Sequence, residues 1–249
     1  MTGTVEPPEL VDRRTGPHGE VALRRHGERY EIISNGCFLM DTSDGRSERL
    51  LVTGALEAAA RPQGARVLIG GLGVGFSLAE AAADSRLGSI VVVECEQAVI
   101  DWHTVGEAPL RRFAGGAHDD PRTLVVHQDL ADHLREARAA YDVLCLDVDN
   151  GPDWTVHDGN DGLYGPEGIA VMAQALDEGG VLALWSAAHS EAFERRLSGP
   201  FTGVEVLEVP TLGRGAPDVV YRAVRASDAG SGRSDQTTGE QESGWKSSE

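Results

Sequence analysis

Three stretches of the chain carry side chains whose types and spacing suit the binding of a nucleoside. In Val67-Leu-Ile-Gly-Gly-Leu-Gly-Val-Gly75 an apolar run breaks into Gly70, Gly71, Gly73 and Gly75 where the pattern turns from strand-like to helical. Glycine lets a backbone turn sharply and approach a ligand without interference from Cβ. Glu94 ends the next apolar run, 19 residues after Gly75. An acid at the end of a second strand stands where it accepts hydrogen bonds from ribose hydroxyls. Asp129, in Val125-Val-His-Gln-Asp129, ends a further run, where a carboxylate can accept from an adenine amino group. A glycine turn alone is also compatible with a tight strand-to-helix connection and no ligand. The three together fall at the carboxyl ends of consecutive strands, the edge at which open α/β sheets bind ligands. NAD is the competing cofactor, but its usual spacing is G-x-G-x-x-G, whereas Gly71, Gly73 and Gly75 read G-x-G-x-G.

The elements that must position these residues are legible in outline. From residue 66 onward, apolar runs at Val67–Ile69, Ile90–Val93, Thr123–Val126, Val143–Leu146 and Val181–Trp185 alternate with helical stretches. Such runs are what parallel strands buried on both faces look like, and the β-α-β-α order predicts a Rossmann-like, doubly wound, mostly parallel sheet. Val204–Val209 and Asp218–Val224 follow too closely for a helical crossover. They are expected to form an antiparallel hairpin, completing about seven strands with an antiparallel last strand. Upstream, Val21–His26, Arg29–Ile33 and Phe38–Met40, with the turn signal Asn35-Gly36, predict a small antiparallel β-unit at 19–46. A helix is expected over Ser47–Ala60, opening a core of 47–226. Residues 1–18, with Pro7, Pro8 and Pro17, read as a flexible N-terminus, and the polar stretch 227–249 as a disordered tail.

At 249 residues the chain has the length of one domain plus tails. A formal charge of −18 argues against nucleic-acid or anionic-membrane partners, which need basic surface. Cys37, Cys95 and Cys145 have neither metal-ligand nor disulfide spacing and read as reduced, buried thiols, so no metal is expected. No apolar run approaches a membrane span and no signal peptide is evident, so the cytoplasm is the expected location.

The G-x-G-x-G spacing resembles class I S-adenosylmethionine-dependent methyltransferases, and a more specific resemblance covers residues 20–225. Ile69-Gly-Gly71, Val93-Glu-Cys-Glu96, Asp119-Asp-Pro-Arg122, Tyr141-Asp-Val-Leu-Cys-Leu-Asp147 and Leu163-Tyr164 are similar to successive motifs of the spermidine synthase (polyamine aminopropyltransferase) family. The resemblance implies an S-adenosylmethionine-type sulfonium donor, normally the decarboxylated form, a small amine acceptor, no metal, and Asp147 as the catalytic acid. It is also compatible with a homodimer. A carboxylate at the end of the fourth core strand can hold an amine and accept its proton during attack on the carbon beside the sulfonium; capping of the following loop is the alternative role for Asp147. Family members usually carry a second Asp three residues later. Here that position is Asn150, and the adjacent Asp149 is the candidate substitute.

Two further departures bear on the donor. The family's Asp inside the glycine turn, which faces the amine end of the nucleoside, falls here on Gly73 or Val74, and Arg46-Ser-Glu-Arg49 stands where Tyr-His-Glu is usual. Acids around an ammonium supply charge-assisted hydrogen bonds worth roughly 1.5 to 3 kcal/mol each. A turn without its Asp tolerates better the carboxylate of ordinary S-adenosylmethionine. Three readings therefore stand: aminopropyl transfer to an amine, methyl transfer to a small acceptor, and nucleoside binding without catalysis. His103, His127, His157, Trp102 and Trp154 are lower-ranking candidates. The loop from Asp149 to Gly162 is long for a strand-to-helix connection and is expected to act as a lid; its acids lack the spacing of a calcium loop.

Overall fold

The computed structural model describes residues 7–156, 158–211 and 216–226. A four-stranded antiparallel sheet comes first, in chain order: β1 (Glu9–Gly16), β2 (Gly19–His26), β3 (Arg29–Ser34) and β4 (Cys37–Asp41). Helix α1 (Arg46–Ala58) then leads into the alternating part: β5 (Ala65–Gly70), α2 (Phe76–Ala83), β6 (Leu87–Glu94), α3 (Gln97–Thr104), β7 (Thr123–His127), α4 (Leu130–Glu136) and β8 (Tyr141–Leu146). The chain continues through α5 (Asp161–Tyr164), α6 (Pro166–Ala175), β9 (Leu176–Ser186), α7 (Glu191–Leu197), β10 (Phe201–Val209) and β11 (Asp218–Arg225).

The second sheet has seven strands in the order β10-β11-β9-β8-β5-β6-β7. The five from β7 to β9 are parallel, whereas β11 runs against both β9 and β10. The α/β class, the doubly wound parallel sheet and the terminal hairpin agree with the sequence pattern. The insertion of β11 between β9 and β10 follows from composition: Val219, Val220, Tyr221 and Ala223 of β11 are buried, while β10 alternates with exposed Thr202, Glu205 and Glu208 and suits an edge.

Side chains alternate through the central strands, as period two requires. Val67, Ile69, Val143 and Cys145 pack towards α1, α2 and the small sheet, while Leu68, Leu144 and Leu146 pack towards α4, α6 and α7. Arginines tie the ends. Arg66 on β5 makes two side-chain hydrogen bonds to Asp142 on β8, at 3.0 Å each. Arg122, in the Asp-Asp-Pro-Arg motif, bonds Asp120 and the carbonyls of Ala82, Asp84 and Leu87, joining α2 and β6 to the start of β7. That motif is therefore scaffold.

Residues 1–6 lie outside the described residues, and where residues are described the expectation of a flexible 1–18 is corrected: Glu9–Gly16 is a strand paired along β2. Its side chains are mostly exposed, so no apolar alternation betrayed it; backbone pairing and two polar tethers to α3 hold it. The Trp102 indole donates to Asp12 at 2.9 Å, and Arg14 pairs with Asp101. Helix α1 begins and ends slightly earlier than expected, at Arg46 and Ala58. The expectation of three buried thiols is corrected: Cys145 is buried inside β8, Cys95 is half-buried, and Cys37 is exposed at the start of β4. The expected tail, 227–249, lies outside the described residues. Among the described residues, no helix is long and apolar enough to cross a membrane.

The Trp102 N–H first, then the neighbouring Arg13 amide and Arg14, hold the Asp12 carboxyl below its ordinary value. The tether is therefore complete at neutral pH and lost as the pH falls through that lowered value. Asp12→Ala should raise amide exchange in the β1–β2 ladder about ten- to a hundredfold, the equivalent of one charge-assisted hydrogen bond. Exchange in β5 and β8 should not change; unaltered β1–β2 exchange would show that the tether does not hold the strand.

Candidate functional site

The carboxyl ends of β5, β6 and β8, with the start of α4, open into one cleft lined by Gly71, Gly73, Glu94, Asp129, Asp147 and Asp149. Six of the eight residues singled out by spacing or by the family resemblance therefore converge. Gly70 and Gly75 do not line the cleft. Gly70 is packed between Leu130 and Leu146, and Gly75 sits over His103 and Ala114 at the start of α2. Both glycines serve the close packing of the turn.

Gly71 has φ of +89°, and a Cβ there would overlap the Asp147 carbonyl oxygen. The two main chains are locked by the Asp147 amide donating to the Gly70 carbonyl and the Gly71 amide to Val93, both at 2.9 Å. At Gly73, φ is +49° and the Met40 sulfur of β4 fills the space a side chain would need. Residue 73 itself supplies no acid.

Glu94 is buried and accepts the Leu72 amide at 2.9 Å and the Glu96 amide at 2.8 Å, one on each oxygen. It thus braces the glycine turn while lining the cleft. Asp129 caps α4, accepting the Asp132 amide at 3.0 Å, which sets its carboxylate at the cleft wall. Asp149 accepts the amides of Asn150 and Val156 and the Asn160 side chain, at 2.8, 2.6 and 2.8 Å. With both oxygens so engaged, it organises the loop that follows β8.

Asp147 is different. Burial first, then the nearby carboxyls of Glu48 and Asp218, push its carboxyl well above the usual range. Glu48 and Asp218 are themselves raised, in each case mainly by burial.

Several cleft residues were not legible beforehand. His18 in the β1–β2 turn, Val21, Ile32, Ser34, Leu39 and Met40 come from the small sheet, which forms a wall of the cleft. Their pattern reads only as strands, and nothing local announces which face meets a ligand. Glu96 and Trp185 also line it; Glu96 was visible as the second acid of Val93-Glu-Cys-Glu96. Burial, then Glu94, raises the Glu96 carboxyl. One Glu96 oxygen and the Asn150 amide nitrogen are buried without hydrogen-bond partners. A buried polar atom left unpaired costs about 1 to 3 kcal/mol, which a ligand at this cleft would offset.

The lower-ranking residues fall elsewhere. Trp102 is a buried tether, His127 is exposed with its Nε2 2.9 Å from the Cys95 carbonyl, and Trp154 is exposed on the loop. His157 lies outside the described residues. His103 is fully buried beneath the glycine turn, its Nε2 2.9 Å from the Gly73 carbonyl; burial lowers it to about 4, so it is neutral and donates that proton. Its other nitrogen then accepts from His118, 3.1 Å away. Among the described residues, no group of three or more His, Cys, Asp or Glu is arranged to hold a metal ion.

Residues 49–195 match the spermine/spermidine synthase domain. The chain is 38% identical over 81 residues to polyamine aminopropyltransferase 1 of Streptomyces coelicolor, covering 32% of this chain and 15% of that protein. It is 31% identical over 142 residues to polyamine aminopropyltransferase 1 of Hyperthermus butylicus, covering 54% and 46%. The chain thus spans less than half the length of both. Its fold is similar to spermidine synthase from Thermotoga maritima, with a TM-score of 0.70, 19% identity, and 87% of this chain and 72% of that one covered. A spermidine synthase in complex with the transition state analogue AdoDATO gives a TM-score of 0.69 at 19% identity with the same coverage.

Because Glu94 holds two backbone amides as well as facing the cleft, Glu94→Ala should weaken nucleoside binding by about 1.5 to 3 kcal/mol and destabilise the fold by ~1 to 3 kcal/mol. Calorimetric titration with methylthioadenosine and thermal unfolding measure the two losses. A lowered melting temperature with an unchanged dissociation constant would confine Glu94 to bracing the turn.

Proposed function

The chain belongs to the spermine/spermidine synthase family, and on that premise we propose that its cleft binds an S-adenosylmethionine-type sulfonium donor and transfers an aminopropyl group to a small amine. One observation carries the proposal. Asp147, held by main-chain contacts against the glycine turn, faces the cleft with its affinity for a proton raised by burial and by neighbouring acids. A base whose pKa is brought up towards the operating pH is suited to taking a proton in the transition state.

In this reading Glu94 accepts the ribose hydroxyls, and Asp129 accepts the adenine amino group. The donor carbon is then presented to an amine at Asp147. The amine nitrogen forms the new N–C bond as the C–S bond breaks, the bonding pair returns to sulfur, and neutral methylthioadenosine leaves. The proton released from nitrogen passes to the Asp147 carboxylate. The protein's part is alignment and proton acceptance; the sulfonium supplies the leaving group. Asp149 takes no proton in this scheme: its engaged oxygens position the loop beside Asp147.

A second reading, methyl transfer from S-adenosylmethionine, is favoured by one feature. Met40 packs over Gly73, so an apolar thioether occupies the place from which a carboxylate would hold an ammonium tail. Calorimetry with S-adenosylmethionine, its decarboxylated form and methylthioadenosine separates the two, since tight binding of the decarboxylated form alone selects aminopropyl transfer. If none of the three binds, the nucleoside reading is wrong.

Asp147→Asn should leave nucleoside affinity intact and lower turnover about 10² to 10⁴-fold. The assay offers putrescine and spermidine with both donors and follows release of methylthioadenosine or S-adenosylhomocysteine. Methyl transfer to an acceptor that is already a good nucleophile would lose much less. No release by the wild type with any amine would remove catalysis on amines.

A further inference from the structure

Behind Asp147 stands a group that the transfer chemistry does not itself use. Ser47 and Glu48 open α1, Asp218 opens β11, and Asp147 follows β8. The Ser47 hydroxyl oxygen is 2.9 Å from Glu48 Oε2 and 3.2 Å from Asp218 Oδ2. A serine hydroxyl has one proton to donate. The hydroxyl is the donor in both contacts, so a single proton faces two carboxyl oxygens, and one further proton shared by the two acids would satisfy both.

The surrounding charges agree. Asp44 adds negative charge next to both acids, and Tyr164 lies within Coulombic range of Asp147. Arg46 reaches Asp218 through space, but its hydrogen bonds go to Asp44 and the Pro210 carbonyl. Arg49 is turned to the Phe76 ring and Glu80. The Ser47 hydroxyl works against the upward pull of burial on Asp218. An independent observation marks this end of the cleft as a place for a ligand: Asn150, only 7% exposed, lines it with an amide nitrogen that has no partner.

We propose that Glu48 and Asp218 share one proton across Ser47 and act as positioning residues for Asp147, presenting to it a single negative charge that keeps it a competent proton acceptor. The proposal rests on the aminopropyl-transfer reading for its kinetic consequence, though the proton sharing does not. Replacing either acid by its amide leaves the other ionised, so the charge facing Asp147 stays at one. Only the double replacement removes it.

The acidic limb of the kcat/KM profile, set by ionisation of Asp147, should therefore keep its midpoint in Glu48→Gln and in Asp218→Asn. In the double variant it should move down by about one pH unit, since a like charge is gone. A single variant that shifts the limb as far as the double shows two independent charges and overturns the sharing. An unmoved limb in the double overturns the action on Asp147. Infrared spectra of isotope-labelled protein at neutral pH give a readout without turnover. The wild type should show a protonated carboxyl signal that is lost in either single variant and kept in Asp147→Asn; its absence from the wild type sinks the proposal even if no variant folds. If the wild type turns over no amine while that signal behaves as expected, the functional reading fails and the shared proton stands.

Discussion

The close approach of two main chains, at Gly71 and Asp147, is the contact on which the rest of the site depends. The turn after β5 can pass against the Asp147 carbonyl only because residue 71 has no Cβ and adopts φ of +89°. Two amide bonds then lock the end of β5 to its neighbours, Asp147 to Gly70 and Gly71 to Val93. Three strand ends are thereby brought level. Glu94 on β6 reaches across to the Leu72 amide, so an acid that lines the cleft also holds the turn in shape.

Around that lock the cleft is built from two sources with different physics. The large sheet supplies the acids at its carboxyl edge, where side chains have left the buried strands and meet the cleft. The small sheet supplies an apolar wall through Val21, Ile32, Leu39 and Met40. β1, at the sheet's outer edge, is fastened to α3 by Asp12–Trp102 and Arg14–Asp101 rather than by apolar burial. Its turn carries His18 and Gly16 against Glu96. The wall is thus part of the same packed unit as the sheet edge it faces.

The cleft is acidic at both ends. Glu94 and Glu96 crowd one end; Asp147, with Glu48 and Asp218 behind it, crowds the other. Burial raises the proton affinity of Glu96, Glu48, Asp147 and Asp218, and each is raised further by a neighbouring acid. Such crowding of buried acids is costly to the fold while the cleft is empty.

The sequence by itself determined the α/β class, the strand runs, the glycine turn, and Glu94, Asp129 and Asp147 as cleft residues. Each rests on a local pattern, an apolar run of strand length, a glycine where the backbone must bend, or an acid at a run's end, except that Asp147 was singled out by its likeness to a family motif. What tertiary structure decided lies between segments far apart in the chain. Gly70 and Gly75 read like their neighbours but face packing, because their surroundings separate them and residue type does not. Strand β1 was invisible because exposed polar residues joined by backbone hydrogen bonds leave no periodicity. Met40 over Gly73, and Glu48 and Asp218 on one serine hydroxyl, are meetings of residues 33 and 170 positions apart. Pairings at such separations are set by strand order and by the burial that drives it, and no local spacing encodes them.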